Sequence, residues 1–169
     1  ISEAANILSL GYMAAGKGWN EKDKKMFKNP FAQFLKLETD FVKYWRITQD
    51  GTLVGHVNAG IIWSYGNAEN APYYEQFYIG GANSVRGWSV RSLGPGSFVG
   101  NDGNIDFINQ TGDVKLDMSV EMRMRLFWKF DGALFVDAGN IWTLRDYKEQ
   151  PGGQFRWDTC WEQIAVSYG

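Results

Sequence analysis

The stretch Phe77–Phe98 of this 169-residue chain is FYIGGANSVRGWSVRSLGPGSF. It contains too much glycine for an ordinary strand and too many aromatic residues for a disordered linker. Glycine permits positive φ and close backbone approach, whereas large aromatic side chains favour burial. Arg86 lies in the middle, and a guanidinium removed from water needs carboxylate partners because it cannot lose its charge. The stretch therefore predicts a folded loop that carries an arginine to acidic side chains elsewhere in the chain.

The composition excludes several classes of protein. Lys and Arg number 17 against 19 Asp and Glu, a net charge of −2, so nucleic acid is not an expected partner. The single cysteine, Cys160, excludes an internal disulfide framework. No run of about 18 apolar residues is present, which excludes a membrane-spanning helix. Transmembrane β-strands remain compatible with the sequence, because they alternate apolar and polar residues.

Alternating apolar and polar residues predict long strands on both sides of the loop. Phe31–Thr48, Leu53–Tyr65 and Gly112–Trp128 each place apolar side chains on one face and mostly polar side chains on the other. Strands of soluble sheets usually have about five or six residues, so these are unusually long. Ala133–Trp142 and Trp161–Tyr168 predict two further strands. A soluble sandwich, with its charged face in water, is the alternative that alternation alone leaves open.

The predicted connections differ in length. Asp50-Gly51 and Asp131-Gly132 predict tight hairpin turns, whereas residues 66–111 and 143–159 form long connections. Outer-membrane barrels combine short turns on the periplasmic side with longer loops outside.

The N-terminal part adds a short strand at Ala4–Ala14 and an exposed, charged loop at Lys17–Asn29. The chain thus predicts an all-β fold, an antiparallel transmembrane β-barrel in which residues 66–111 are a long extracellular loop that folds back into the lumen. About six strands cannot close a barrel around such a loop. We therefore interpret residues 1–169 as part of one larger barrel domain.

The same alternation predicts where the acidic partners of Arg86 lie. Glu121 faces the polar side of the longest strand, and Asp137 faces that side of the next strand. A desolvated arginine can make bidentate bonds with such carboxylates. We expect an arginine lock, in which Arg86 binds Glu121 and Asp137 with Trp88 packed beside it. The alternative is a solvated loop arginine.

Three motifs carry a resemblance to a known family. GGANSVRGW, residues 80–88, resembles the signature loop of the outer-membrane insertase superfamily that includes BamA and TamA, in which a VRG tripeptide enters the barrel interior. GDVKLDMSVEMR and FVDAGNIW, residues 112–123 and 135–142, are similar to the two strand motifs that follow it. Residues 73–88 and 91–98, with NPFAQFLKLETDF upstream, resemble the TamL-like branch found in Bacteroidetes.

The resemblance assigns roles to particular residues. It implies a loop motif of Gly80, Gly81, Val85, Gly87 and Trp88, a structural lock of Arg86, Glu121 and Asp137, and a receiving-strand motif that includes Phe135 and Gly139. Ser119 departs from the pattern, because relatives often have Asn at that position. The resemblance also implies that the chain supplies about six strands of a barrel of about sixteen. The N-terminal half of the barrel, the POTRA modules and the last strands would then lie outside this chain.

The function implied is that of an outer-membrane assembly factor, which folds or translocates client proteins into the Gram-negative outer membrane without covalent chemistry or a cofactor. Its partners would be the outer-membrane lipid bilayer, unfolded or nascent clients, and periplasmic or lipoprotein assembly partners. Two alternatives remain: a two-partner secretion pore, and a passive barrel anchor fused to an enzyme domain. No metal site is expected, because His56 lies alone without Cys, His or Asp at ligand spacing. No nucleophile, base and oxyanion group occur together, so enzyme activity is not expected.

Overall fold

A computed structural model of the chain describes residues 2–4, 14–16, 25–26, 29–30, 32–66, 68, 70–100 and 108–169. Its main feature is a six-stranded antiparallel sheet in the order β1-β4-β5-β6-β7-β8, beside a two-stranded sheet of β2 and β3. Within the described ranges, no helix is long and apolar enough to cross a membrane. The strands are β1 Ser2–Ala4, β2 Lys25–Met26, β3 Asn29–Pro30, β4 Gln33–Arg46, β5 Gly51–Tyr65, β6 Val114–Phe127, β7 Phe130–Trp142 and β8 Ala165–Tyr168.

Four long strands dominate the sheet. The strands β4 to β7 have 14, 15, 14 and 13 residues, more than twice the usual length in soluble sheets. Their pairing is continuous, from Gln33 opposite Tyr65 to Arg46 opposite Thr52 in the first hairpin. The prediction of an all-β, antiparallel fold is confirmed.

The two faces of the sheet differ because side chains alternate along each strand. One face, here called the apolar face, leaves its large side chains exposed. The opposite face, here called the polar face, carries charged and amide groups and is partly covered by the chain itself. The apolar face exposes Leu35, Leu37, Phe41, Trp45, Val57, Ile61, Trp63, Val120, Leu134 and Val136. A soluble sandwich would bury this row of side chains, which the described residues leave uncovered.

The loop that carries Arg86 lies against the polar face. Phe77 forms a β-bridge with Gly112, just before β6. Apolar loop residues are then buried against the sheet, so the hydrophobic core lies between loop and sheet rather than between two sheets. The core contains Phe34, Ile62, Ala71, Phe77, Ile79, Val85, Leu93 and Ile141.

The predicted turn at Asp131-Gly132 is wrong. Both residues lie inside β7, where Asp131 pairs with Arg125 and Gly132 pairs with Met124. The chain turns instead at Trp128-Lys129, where Trp128 has φ 51°. A register shift between Arg125 and Phe127 lengthens β6 by a bulged residue, and the rings of Phe127 and Phe130 then flank the turn 5.2 Å apart. The strand register therefore outweighs the local preference of Asp-Gly for a turn.

The predicted two-residue turn at Asp50-Gly51 is also wrong. Strand β4 ends at Arg46 and β5 begins at Gly51, so residues 47–50 form a longer connection. The backbone N–H groups of Ile47 and Thr48 both donate to the carbonyl of Gly51. These bonds close the connection between the two strands, and Gly51 lies at its end rather than at its centre.

The terminal elements differ from prediction as well. The strand predicted at Ala4–Ala14 falls mostly on residues outside the described set, and β1 ends at Ala4, where that strand was expected to begin. The charged loop predicted at Lys17–Asn29 contains β2 and the first residue of β3. The last strand starts at Ala165 rather than Trp161, because residues 157–163 form consecutive turns in which Cys160 N–H donates to the Arg156 carbonyl.

The position of the second turn can be tested by insertion. We expect a short Gly-Ser insertion between Trp128 and Lys129 to leave the full-length protein folded, because it only lengthens a turn. The same insertion between Asp131 and Gly132 will disturb the pairing of β6 with β7 and reduce the folded fraction. Heat-modifiable migration on electrophoresis measures this fraction, and equal tolerance at both sites would contradict the assigned register.

Candidate functional site: an arginine between two strands

Arg86 makes three hydrogen bonds with one carboxylate of β7. Its Nε donates to Asp137 Oδ2 at 2.8 Å and its Nη2 to Asp137 Oδ1 at 2.7 Å, while its backbone N–H donates to Oδ2 at 3.0 Å. The side chain of Asp137 is completely buried. A bidentate arginine pair of this kind fixes both position and orientation, so it holds the backbone of the loop as well as its side chain.

A second carboxylate, on β6, binds the opposite edge of the same guanidinium. Arg86 Nη1 donates to Glu121 Oε2, and the other oxygen of Glu121 accepts from Nε of Arg123 at 2.5 Å. The face of the guanidinium lies 3.5 Å from the ring centre of Phe135, the residue opposite Glu121 across the two strands. Carboxylates at the edges and an aromatic ring on the face match the two recognition modes of arginine.

The charge of Arg86 is permanent in this environment. Hydrogen bonds from its guanidinium to Asp137 and Glu121 raise the pKa of Arg86 above its already high usual range, against the opposing effect of burial. Arg86 therefore always supplies a positive charge to Asp137. A substitution that removes this charge would leave the buried carboxylate without its counter-charge.

Two glycines allow the loop and the strands to approach. A Cβ on Gly139 would lie 2.6 Å from the Leu116 carbonyl oxygen and 2.7 Å from Cδ1 of Ile79, so only glycine fits beneath the loop. A Cβ on Gly87 would lie 2.6 Å from Cβ of Ser167, whose Oγ accepts from the Gly87 N–H at 3.2 Å. The VRG tripeptide thereby contacts β8 as well as β6 and β7.

The remaining predicted loop residues surround this contact. Gly80 and Gly81 have φ values of 101° and 91°, in the region that favours glycine. Val85 is fully buried in the core. Trp88, however, is 41% exposed, and the ring that stacks on the guanidinium is that of Phe135. The burial expected for Trp88 from its size is therefore not observed.

Sequence reasoning missed a second contact between loop and sheet. Ser84 Oγ donates to Asp117 Oδ2 at 2.5 Å, and Asp117 is almost fully buried on β6. The available signal was that Asp117 lies four residues before Glu121, on the same face of the strand.

The end of the Phe77–Phe98 stretch is held by β7. The backbone N–H of Gly96 donates to the Ile141 carbonyl at 2.7 Å, and Asn140 Nδ2 donates to the Gly96 carbonyl at 3.0 Å. His56 has a different role: its Nε2 lies 3.1 Å from Oδ2 of Asp40. Within the described ranges, no group of three or more His, Cys, Asp or Glu side chains could hold a metal ion.

Long antiparallel strands with an exposed apolar face, and a re-entrant loop on the polar face, define a class: the β-barrel proteins of the outer membrane. The model for the Omp85 superfamily domain matches residues 26–169, so the chain belongs to the Omp85 superfamily. Members of this superfamily are outer-membrane proteins of Gram-negative bacteria, and this is the location of the chain.

The curated relatives are assembly factors. The chain is 30% identical over 111 residues to the outer membrane protein assembly factor BamA of Neisseria meningitidis serogroup B, covering 63% of this chain and 14% of that protein. It is 25% identical over 142 residues to BamA of Nitratidesulfovibrio vulgaris, covering 80% and 17% respectively. The chain thus spans about a sixth of the length of these relatives or less.

A solved structure supports the fold. The crystal structure of BamA from Haemophilus ducreyi lacking POTRA domains 1–3 is similar with a TM-score of 0.62 at 19% identity, over 80% of this chain and 28% of that one. At this identity the likeness concerns the fold alone. The predicted barrel architecture is confirmed, although the sheet described here is not closed.

The unequal burial of the two carboxylates generates a prediction. Asp137→Asn will lower the free energy of unfolding by about 3–5 kcal/mol, the usual cost of removing one partner of a buried ion pair. Glu121→Gln will cost only about 1 kcal/mol, because Glu121 is partly exposed and also pairs with exposed Arg123. Urea titration of the full-length protein in liposomes measures both. Equal losses would show that Asp137 is not the principal partner.

The close approach at Gly139 generates another prediction. Gly139→Ala will destabilise the protein by about 1–3 kcal/mol, because the new methyl group meets backbone atoms of β6 and Cδ1 of the loop residue Ile79. The matched control is Gly132→Ala in the same strand, where the methyl would meet only the side-chain end of Leu126 at 3.0 Å. Comparison of the two variants by urea titration separates the close contacts of Gly139 from the general effect of replacing glycine by alanine in a strand. If both variants retain wild-type stability, β6 and the loop do not lie as close to Gly139 as described.

Proposed function

We propose that this chain is part of an outer-membrane assembly factor that folds or inserts client proteins without covalent chemistry or a cofactor. The observation that carries the proposal is the match of residues 26–169 to the Omp85 superfamily domain. Relatives that are assembly factors by name add support. Unfolded clients, the lipid bilayer and periplasmic or lipoprotein assembly partners are the partners that this activity requires.

The domain organisation follows from the same proposal. Residues 1–169 would form part of one larger barrel domain, completed by strands and POTRA modules that precede or follow it in the full-length protein. The polar face would then line the lumen, and residues 66–111 would enter it as a long extracellular loop. The contacts of Arg86 with β6 and β7 support this arrangement, because they hold the loop on the polar face.

The arginine lock has a mechanical role in this proposal. A barrel that accepts a client strand must open or thin at one place and stay rigid elsewhere. Arg86 joins β6 to β7 through two carboxylates, and Ser84 and Gly87 add contacts with β6 and β8. The lock would therefore stiffen this part of the wall, so that opening is confined to strands outside it.

A finer assignment concerns the branch of the superfamily. We propose the TamL-like branch, on the basis of the motifs in residues 73–88 and 91–98. Two glycines of these motifs shape the end of the loop, because Gly94 and Gly96 both have positive φ. The backbone N–H of Gly96 donates to the Ile141 carbonyl, and the Gly96 carbonyl accepts from the Asn140 side chain. The loop of this chain is thus attached to β7 at two separate points.

The role of the lock can be tested in living cells that depend on the full-length protein. Arg86→Ala will reduce the amount of many folded outer-membrane proteins several-fold, because the loop loses its attachment to β6 and β7. The matched control is Arg123→Ala, which removes the other cation paired with Glu121 but lies 58% exposed, and we expect near-normal assembly. Quantitative proteomics of purified outer membranes measures the effect across clients.

The range of affected clients decides between functions. Loss of a broad set of barrel proteins supports insertion. Loss of one secreted protein, with normal levels of the others, would instead indicate a dedicated secretion pore. Normal levels of all clients in Arg86→Ala, with the variant itself present at wild-type amounts, would remove the lock from the mechanism.

A further inference from the structure

At one end of β7, the side chains of the apolar face are buried instead of exposed. Leu134 and Val136 are exposed, but Asn140 and Trp142, which belong to the same alternating row, are completely or almost completely buried. The register confirms the row, because Trp142 lies opposite Val114 and Val114 lies opposite exposed Ile61. Some part of the chain therefore covers the apolar face here.

Gly96 of the 66–111 loop accepts from Asn140 Nδ2 at 3.0 Å, and the rest of the cover that the structure describes belongs to the connection between β7 and β8. Gln163 accepts from both residues: its carbonyl bonds Asn140 Nδ2, and its Oε1 bonds Trp142 Nε1 at 2.8 Å. The ring of Phe155 packs edge-on against Trp142 with centroids 5.5 Å apart. The connection also runs alongside the end of β7, where Thr143 and Gln154 form a parallel β-bridge. Phe155 and Gln163 therefore cover this end of the apolar face.

The aromatic packing continues outward from the sheet. The ring of Trp157 packs edge-on against Phe155 with centroids 4.9 Å apart, yet Trp157 remains 77% exposed. Trp161 is 65% exposed and follows Trp157 by four residues within the consecutive turns of residues 157–163. Both indole rings are therefore left open on the surface of this connection.

Charge helps to identify what these rings contact. Arg156 and Asp158, which flank Trp157, pair with each other at 3.1 Å, so this pair adds no net charge for a phosphate to bind. Exposed indole rings beside an apolar surface are typical of the boundary between lipid headgroups and acyl chains. Through Trp142, Phe155 is linked to the end of the row whose exposed part faces lipid in an outer-membrane barrel, and Trp157 packs on Phe155.

We propose that Phe155, Trp157 and Trp161 form an aromatic foot that inserts into the headgroup boundary of the outer leaflet. The foot lies at the end of the strands opposite the short β6–β7 turn, the end at which such barrels carry their extracellular loops. It extends the lipid-facing surface beyond the strands and fixes the depth of this wall in the bilayer. The proposal depends on the outer-membrane location of the barrel and not on its proposed activity in client assembly.

Spin labels placed in the full-length protein in liposomes test this directly. The background carries Cys160→Ser, which preserves a hydrogen-bonding group next to the Trp157 carbonyl. Single labels are attached through Trp157→Cys and Trp161→Cys. A label at Trp63, 59% exposed on the apolar face, is the lipid control, and a label at Tyr74, 80% exposed on the 66–111 loop, is the aqueous control. Collision rates with oxygen and with a water-soluble nickel chelate measure depth.

We expect the ratio of oxygen to nickel collisions at positions 157 and 161 to be several-fold higher than at 74, and closer to the value at 63. Ratios equal to that at 74 would place the rings in water and overturn the proposal. Low collision rates with both reagents would place them against protein, which also overturns it. As a check that does not replace the tryptophans with labels, the Trp157→Phe/Trp161→Phe variant should show less tryptophan quenching by headgroup-proximal brominated lipids than the wild type. Unchanged quenching would contradict the foot.

Discussion

The carboxylate of Asp137 accepts three hydrogen bonds from a single residue of a loop 51 positions away in the sequence. This group is completely buried, so its charge requires a partner that is always cationic. Arginine meets that requirement, because its guanidinium is not neutralised by burial and its paired N–H groups match the two carboxylate oxygens. The position of the loop, the glycines beneath it and the polar face on which it lies all depend on this pair.

The arrangement also explains why an apolar core forms on the face that looks polar in the sequence. Charges on β6 and β7 occupy the centre of the loop contact, whereas Ile79, Val85 and Leu93 bury their side chains around it. Burial of this apolar surface stabilises the loop but does not fix its orientation, because the hydrophobic effect is non-directional. The ion pairs determine where the loop sits on the sheet. The opposite face of the sheet is thus left free for lipid, except at the end of β7 where Asn140 and Trp142 are buried.

Part of this fold could be predicted because a membrane imposes a simple rule on strands. Lipid on one side requires an apolar side chain at every second position, and that alternation fixes which residues of β4 to β7 share a face. The same rule placed Glu121 and Asp137 on one side. The structure brings both into contact with Arg86, while their role as a lock stays a prediction.

Other features depend on three-dimensional neighbours that alternation does not encode. The register of β6 against β7 places the turn at Trp128-Lys129 instead of Asp131-Gly132, although the local preference favoured Asp-Gly. Phe135 stacks on Arg86 because it lies opposite Glu121 across the strands, whereas proximity in sequence suggested Trp88. The Ser84 contact with Asp117 depends on the shape of the loop, which the glycines allow but do not specify.

Hydrogen exchange of the loop amides tests the central claim most directly. In the full-length protein in membranes, peptides covering residues 79–90 should be strongly protected in the wild type, and the Arg86→Ala variant should lose that protection while β6 and β7 keep theirs. Such a result would show that the guanidinium holds the loop on the sheet. Equal protection in both proteins would contradict the account, because the loop would then be held by its apolar contacts alone.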